Sequence, residues 1–555
     1  MSNREIQRTV ADLVISCLEA EGVEYMFGIP GEENIRLVVA TADSKIRFIL
    51  TRHEQAAAFM ADVYGRVTGK AGVCTATLGP GAINLALGVA DAQTDSSPLV
   101  AITAQVGLNR IYKESHQIVD VVSMYKPLTK WADILLTPAA VPEMVRKAFD
   151  AAQSERPGAA YLAIPEDIES AKVTLGAKPL PERPTHAAGA DPAQVQAAAK
   201  LIRSAKRPII LAGHGVARAG AANALTQFSE TTGIPVATTY MGKGVISDRH
   251  PNALGVVGFM RHDFENFAFD KSDLIIAVGY ELQEFAPARI NPKLDTPVLH
   301  IHRFAQDTDA AYPVASSIEA DIGLALKALT EEFTANPCPS YPNDAVIRTL
   351  HAQELEAGEN DASFPVKPQR IINDIRKALG DEDIVLADTG AIKMWMARLY
   401  PAFAPLTCLI SNGLSTMAFA LPGALGAKLA KPKAKVIAAM GDGAFLMNSQ
   451  EIETAVREKI PLVVLVWVDG AYGLIKWKMD LEIGHHRNVD FGNPDFVKYA
   501  ESFGAKGYQI KAAADLLPTL RKALDDGGVS VIACPVDYSE NLKLTAKLGA
   551  LTDPL

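Results

Sequence analysis

Along this chain, short unbroken apolar runs alternate with longer stretches in which apolar residues recur every three or four positions. The runs read as strands buried on both faces, and the stretches as helices with one apolar side. The first stretch, MSNREIQRTVADLVISCLEAEGVEY, mixes charge with apolar residues at helical spacing and lacks the unbroken apolar core of a signal peptide. PLVAITAQ (98–105) and AAYLAIPED (159–167) follow as strands, and the polar, proline-rich GAKPLPERPTHAAGADP (176–192) marks a boundary. Beyond it come the helix AQVQAAAKLIRSA and the strands PIILAGHG (208–215), SDLIIAVGY (272–280) and TPVLHIH (296–302), closed by TANPCPSYPNDA (334–345). A third series holds IVLADTG (384–390), AKVIAAMGDG (434–443), PLVVLVWVDG (461–470) and VSVIACPVD (529–537).

Three α/β domains are therefore expected, at 1–185, 190–340 and 360–555, each a largely parallel sheet flanked by helices. In such sheets ligands gather beyond the carboxyl ends of strands, which directs attention to the loops after these runs. Composition narrows the function classes. With 48% apolar and 21% charged residues, the 555-residue chain has the make-up of a globular protein. Its net charge of -10 gives no electrostatic footprint for nucleic acid or an anionic membrane. No apolar stretch reaches the about 18 residues of a membrane span. The five cysteines are scattered without a CxxC pair, which points to a reducing cytoplasm.

The strongest local signal lies in the third domain. The strand KVIAAM runs into Gly441-Asp442-Gly443, a helical pattern follows, and the strand PLVVLVWV ends at Asp469. A right-handed βαβ unit places both aspartates at carboxyl ends of parallel strands on one sheet edge. Two converging carboxylates suit a hard divalent cation, and the flanking glycines admit a phosphate close to the backbone. A lone GDG reads as a strand-to-helix turn. The second aspartate, 27 positions on, favours Mg²⁺ bridging two carboxylates and a diphosphate.

This pairing resembles the cofactor motif of the thiamine diphosphate-dependent decarboxylase and carboligase family, with Asp469 where that family more often has Asn. The departure is similar to the catabolic, FAD-free acetolactate synthases. The resemblance implies a thiamine diphosphate-binding fold in the first and third domains and a Rossmann-like middle domain. It makes Asp442, Asp469 and the backbone carbonyl of Ala471 the Mg²⁺ ligands. Gly390, Ala391, Met394, Gly441, Gly443, Ala444, Tyr472, Gly473 and Leu474 would lie along the cofactor. FGIPGEEN (27–34) and TLGPGAIN (77–84) match the family's loops in the first domain, assigning Pro30, Thr77, Gly81 and Asn84 to cofactor binding. Asn84 either reaches the cofactor or caps the next helix. Glu54, in TRHEQAAAF, would be the activating acid at the pyrimidine ring, stabilising the tautomer whose imine removes the thiazolium proton. Met417 would be the wedge that bends the cofactor, or else a core residue.

SHQIVDVVSMYKPLTKWA (115–132) resembles the acetolactate synthase segment in which Gln117 lines the reacting centre and Lys130 the channel above it. The glycine loop GHGVARAG (213–220) is a weak dinucleotide signal, and YELQEFAPARI (280–290) lacks the RFDDR-like stretch of the flavin-containing enzymes, so FAD is not expected. Arg261 either binds a substrate carboxylate or lies on the surface. His485-His486 sits in a stretch that reads as loop and suits a surface role. The reaction implied is decarboxylation of pyruvate and transfer of the two-carbon unit to a second pyruvate, giving 2-acetolactate and CO₂. A 2-oxoacid decarboxylase, a sulfoacetaldehyde acetyltransferase or a pyruvate oxidase is the alternative. The resemblance also implies that the first and third domains do not meet within one chain, and that the cofactor lies between subunits of a homodimer or homotetramer.

Overall fold

The computed structural model describes residues 8–174, 176–181, 186–257 and 262–554. Among the described residues, eighteen strands form three six-stranded sheets in which every strand pairing is parallel. The first sheet contains β1 (Tyr25–Gly28), β2 (Arg47–Leu50), β3 (Gly72–Ala76), β4 (Leu99–Gln105), β5 (Trp131–Ile134) and β6 (Ala159–Pro165), ordered β2-β1-β3-β4-β6-β5. The second contains β7 (Pro208–Ala212), β8 (Val236–Thr238), β9 (Ala253–Val256), β10 (Leu274–Val278), β11 (Val298–His302) and β12 (Val314–Glu319), ordered β12-β11-β10-β7-β8-β9. The third contains β13 (Ile384–Ala387), β14 (Cys408–Leu409), β15 (Val436–Gly441), β16 (Leu462–Val468), β17 (Lys506–Gln509) and β18 (Val529–Pro535), ordered β14-β13-β15-β16-β18-β17. The α/β expectation holds. Helices cover both faces, so interior strands such as β3, β4 and β6 are buried at every residue, while the edge strands β2 and β5 are half-exposed.

The chain divides into two compact units. One comprises 1–185, 413–433 and 448–461; the other comprises 186–412, 434–447 and 462–555. The segments 413–433 and 448–461 come from the third region of the sequence yet belong with the first sheet. The expectation that the first and third regions do not meet within one chain is therefore corrected. The physical reason is an apolar helix, Ala420–Ala430, buried over its first eight residues, which packs on the helix Glu54–Thr68. The contact is close enough that a Cβ at Gly426 would lie 2.3 Å from the Met60 carbonyl oxygen. Beside it, Arg66 is buried among Asp62 (2.7 Å), Asp95 (2.9 Å) and Asp91 (3.3 Å), and its guanidinium lies over the Phe419 ring. Asp95 also accepts the Gly413 N–H at 2.5 Å, tying down the segment that leads to Met417.

Gly426→Ala tests this packing. In a free helix the change stabilises by about 1 kcal/mol. Here overpacking costs about 1–3 kcal/mol, so the melting temperature is expected to fall. A rise in melting temperature would show that the two helices stand further apart.

Candidate cofactor and metal site

In the first unit, the loops after β1, β2, β3 and β4 emerge from one edge of the sheet. Glu54 opens the helix Glu54–Thr68, with the His53 ring nitrogen accepting the Gln55 N–H as cap. Its Oε2 accepts the Asn84 side-chain N–H at 3.0 Å, and Asn84 lies inside the helix Pro80–Thr94 rather than at its cap. A Cβ at Gly81 would lie 3.4 Å from Glu54 Oε1, so this glycine borders the acid. Thr77 donates its hydroxyl to Glu33 Oε2 at 2.6 Å across the point where the strand order reverses, between β1 and β3. Gly79 turns with φ +51° and packs on the carbonyl of Gln117, itself at φ +57°. Glu54, Thr77, Gly81, Asn84 and Gln117 are thus brought together, with Pro30 exposed in the loop after β1.

Lys130 is not part of this cluster. It precedes β5 at the opposite edge of the sheet, where its ammonium donates to the Ser154 carbonyl (2.7 Å) and hydroxyl (3.0 Å). Met417 is half-buried between Ser415 (φ +53°) and buried Ala418 (φ +70°). Two non-glycine residues in the left-handed region cost energy, and surrounding contacts must hold them there. Asn448 supplies one, donating to the Ala418 carbonyl at 3.0 Å. Glu451, not singled out in the sequence, is fully buried and accepts the Arg52 N–H at 3.0 and 3.2 Å, two residues before Glu54. Burial pushes its pKa up to about 7. A glutamate in the helical pattern NSQEIETAVREK was the available signal, hidden because helix-start glutamates are common on surfaces.

In the second unit, Gly390 (φ +141°) follows β13 and precedes the helix Ala391–Leu399, with Ala391 buried and Met394 half-buried against the core. Asp442 follows β15 directly and is fully buried. Its Oδ1 accepts the Gly443 N–H at 2.9 Å, and its Oδ2 accepts the N–H of Gly470 (2.8 Å) and of Asp469 (3.2 Å). Asp469 follows β16, the strand paired with β15. Burial, then the neighbouring Asp442, pushes the Asp469 pKa up to about 7. A carboxylate pair held this way is stabilised by a cation between the two groups. A Cβ at Gly473 would lie 2.7 Å from Asp469 Oδ2. A cavity of about 300 Å³, lined by Asp469, Gly473, Lys476 and Tyr538 among others, opens beside it.

The turn after Asp469 is fastened to a second segment. Ala471 bridges Asp490, the Tyr472 N–H donates to Val489 and the Phe491 N–H to Gly470, each at 2.9 Å for the two hydrogen bonds. The Ala471 carbonyl accepts the Gly473 N–H at 2.9 Å and keeps its other lone pair. Tyr472 packs edge-on against Phe491; Ala444 is buried; Leu474 packs against the core. This fastening brings in Asn493, whose side-chain N–H donates to Asp442 Oδ2 at 2.7 Å while its Oδ1 is buried without a hydrogen-bond partner. No local pattern points to it, since IGHHRNVDFGNPDF reads as loop. His485 is exposed and His486 pairs with Asp480 at 2.7 Å, as a surface role requires. Arg261 lies outside the described residues.

The donor set fits the group that the sequence resemblance implies: two carboxylates and a carbonyl for a hard cation, beside glycines at strand ends. Comparison with known proteins bears on the thiamine diphosphate part of that group. Residues 8–124 match the N-terminal TPP binding domain of thiamine pyrophosphate enzymes, 195–329 the central domain and 388–534 the C-terminal TPP binding domain. Acetolactate synthase of Bacillus subtilis is 34% identical over 97% of this chain and 94% of its own length. Catabolic acetolactate synthase of Raoultella terrigena is 35% identical over 97% of each chain. A probable acetolactate synthase large subunit of Methanococcus aeolicus is 35% identical over 98% of this chain and 94% of its own. Among the described residues, no helix is long and apolar enough to cross a membrane. The chain belongs to the thiamine pyrophosphate enzyme family and is a thiamine diphosphate-dependent enzyme close to the acetolactate synthases.

Proposed function

We propose that this protein is an acetolactate synthase: it decarboxylates pyruvate and joins the two-carbon unit to a second pyruvate, releasing 2-acetolactate and CO₂. The observation that carries the metal part of this reading is the Asp442–Asp469 pair, with one carboxylate buried and the other pushed to a pKa of about 7. The substrate is suggested by the names of relatives matched over nearly the whole chain. Asp442, Asp469 and the Ala471 carbonyl would hold Mg²⁺ and, through it, the diphosphate. Gly390, Ala391, Met394, Gly441, Gly443, Ala444, Tyr472, Gly473 and Leu474 would border the cofactor on that side. Pro30, Thr77, Gly81 and Asn84 would do so on the pyrimidine side.

Bound thiamine diphosphate supplies a carbon nucleophile and an electron sink that no amino-acid side chain provides. The chain's own contribution is position and proton handling. Glu54 would present a carboxyl group to the pyrimidine ring, and Asn84 holds its second oxygen. Met417 would supply an apolar surface to the cofactor. Gln117 would face the reacting centre, while Lys130, hydrogen-bonded to Ser154 at the far edge of the sheet, takes no part. The pyrimidine and diphosphate residues belong to different compact units, and we take the complete site to form between subunits of a homodimer or homotetramer in the cytoplasm, without FAD.

Incubation with pyruvate, thiamine diphosphate and Mg²⁺ tests the reaction. Acetolactate with release of CO₂ is the expected product. Acetaldehyde, or an absolute flavin requirement, would replace this reading with a decarboxylase or an oxidase. Asn493→Ala tests the metal site from its rim. Residues that hold a metal ligand in place typically contribute 10–100-fold to affinity. A loss of about that size in Mg²⁺-dependent cofactor affinity is expected by calorimetry, and unchanged affinity would mean that Asp442 needs no such support.

A further inference from the structure

The order of the central sheet reverses between β7 and β10. In open α/β sheets, ligands bind beyond the carboxyl ends of the strands at such a reversal. Two loops leave it: the glycine turn Gly213–Gly215 after β7, and residues 279–290 after β10. In a dinucleotide site the glycines of the first loop admit a pyrophosphate to the backbone N–H groups. Here the side chain of Glu284 stands in that place. Its Oε2 and Oε1 accept the His214 N–H at 2.9 and 3.1 Å. Oε1 also accepts the Glu281 N–H at 3.0 Å, and Oε2 the Thr239 hydroxyl at 2.6 Å. Thr239 directly follows β8, so donors from three strand ends converge on one carboxyl group that is only 4% exposed.

The glycines are accounted for in the same way. A Cβ at Gly213 would lie 2.6 Å from Glu284 Oε1 and 2.5 Å from the Gly279 carbonyl oxygen. A Cβ at Gly215 would lie 2.8 Å from His302 Nε2. The space these glycines create is filled by the chain itself. Behind Glu284, the buried Glu281 pairs with Arg218 at 2.7 Å and stands 3.9 Å from His302. Burial and Glu281 push the Glu284 pKa up to about 8, a cost that the three donors offset.

We propose that Glu284 is a built-in occupant of the central sheet's phosphate position, closing this domain to flavin and other dinucleotides. The idea deepens the flavin-free reading above and rests on it. Glu284 belongs to YELQEFAPARI, the stretch in which the flavin-type motif is missing, so one segment both lacks that motif and supplies the plug.

The test uses the full chain saturated with thiamine diphosphate and Mg²⁺, so that added anions do not report on the catalytic site. Wild type is expected to show no binding of FAD or ADP by calorimetry and no change in melting temperature with acetate. Glu284→Ala removes the acceptor that three donors share and should lower the melting temperature by about 4–8 °C. Acetate, against chloride at equal ionic strength, should restore at least half of that loss by taking the vacated place. Glu284→Gln keeps the volume and an acceptor oxygen, and should neither melt early nor respond to acetate. Binding of FAD or ADP to wild type would overturn both the plug and the flavin-free reading. A loss in Glu284→Ala that acetate and chloride restore equally would overturn the plug alone. Should Glu284→Ala not fold, Glu284→Ser carries the same comparison with one hydroxyl left on the donors.

Discussion

Glu54→Gln is expected to lower turnover by roughly 10²–10⁴-fold, the range that a positioned carboxyl group contributes to proton transfer, and to leave the fold intact. The substitution changes little in shape. A glutamine carbonyl still accepts the Asn84 N–H that Oε2 accepts at 3.0 Å. What it loses is the acid: an amide cannot carry the proton that Glu54 would share with the pyrimidine ring. The melting temperature should therefore stay near that of wild type, and cofactor affinity should fall far less than turnover. This split is what separates a catalytic role from a structural one. Steady-state kinetics with pyruvate, beside calorimetry with thiamine diphosphate, reads both quantities. Turnover near the wild-type rate would remove Glu54 from the chemistry, and a matching collapse of melting temperature would make it a structural residue.

How much of this was legible in the sequence depends on burial. Every strand named from its apolar run, from PLVAITAQ to VSVIACPVD, lies inside a sheet with neighbours on both sides. The edge strands β2, β5, β9, β12, β14 and β17 were not named, because a strand open on one side is short or half-polar and loses the unbroken run. The site divides along the same line. Asp442 and Asp469 stood out because each ends a fully apolar strand. Glu33, Glu451 and Asn493 did not, because each acts through a contact far away in the chain: Thr77, the Arg52 backbone and Asp442. Spacing cannot reveal a partner that only the fold brings near. The packing of 413–433 and 448–461 beside the first sheet was hidden for the same reason. Helix Ala420–Ala430 is apolar all round, which announces burial without saying against what.

Asp469→Ala is the complementary experiment, and its effect should fall on binding rather than on rate. The loss of Mg²⁺-dependent cofactor affinity is expected to exceed the roughly 10–100-fold typical of residues that only orient a ligand, because the proposed ligand itself is removed. Acidity gives a second readout. Burial and Asp442 raise the Asp469 pKa to about 7 in the metal-free protein. The folded state thus holds this proton more tightly than the unfolded chain does. The contribution of this group to stability is greatest below the ordinary carboxylate pKa and is lost as the pH climbs to about 7. A divalent cation can take over from the proton, and the two compete for the same oxygens. Added Mg²⁺ should therefore raise the melting temperature of wild type strongly at about pH 8 and weakly at about pH 5.5, whereas Asp469→Ala should show little response at either. Asp469→Asn keeps a metal-binding oxygen without the titrating group, so it should retain Mg²⁺ binding and lose its steep dependence on pH. Full Mg²⁺-dependent affinity in Asp469→Ala would take the metal away from this pair of strand ends.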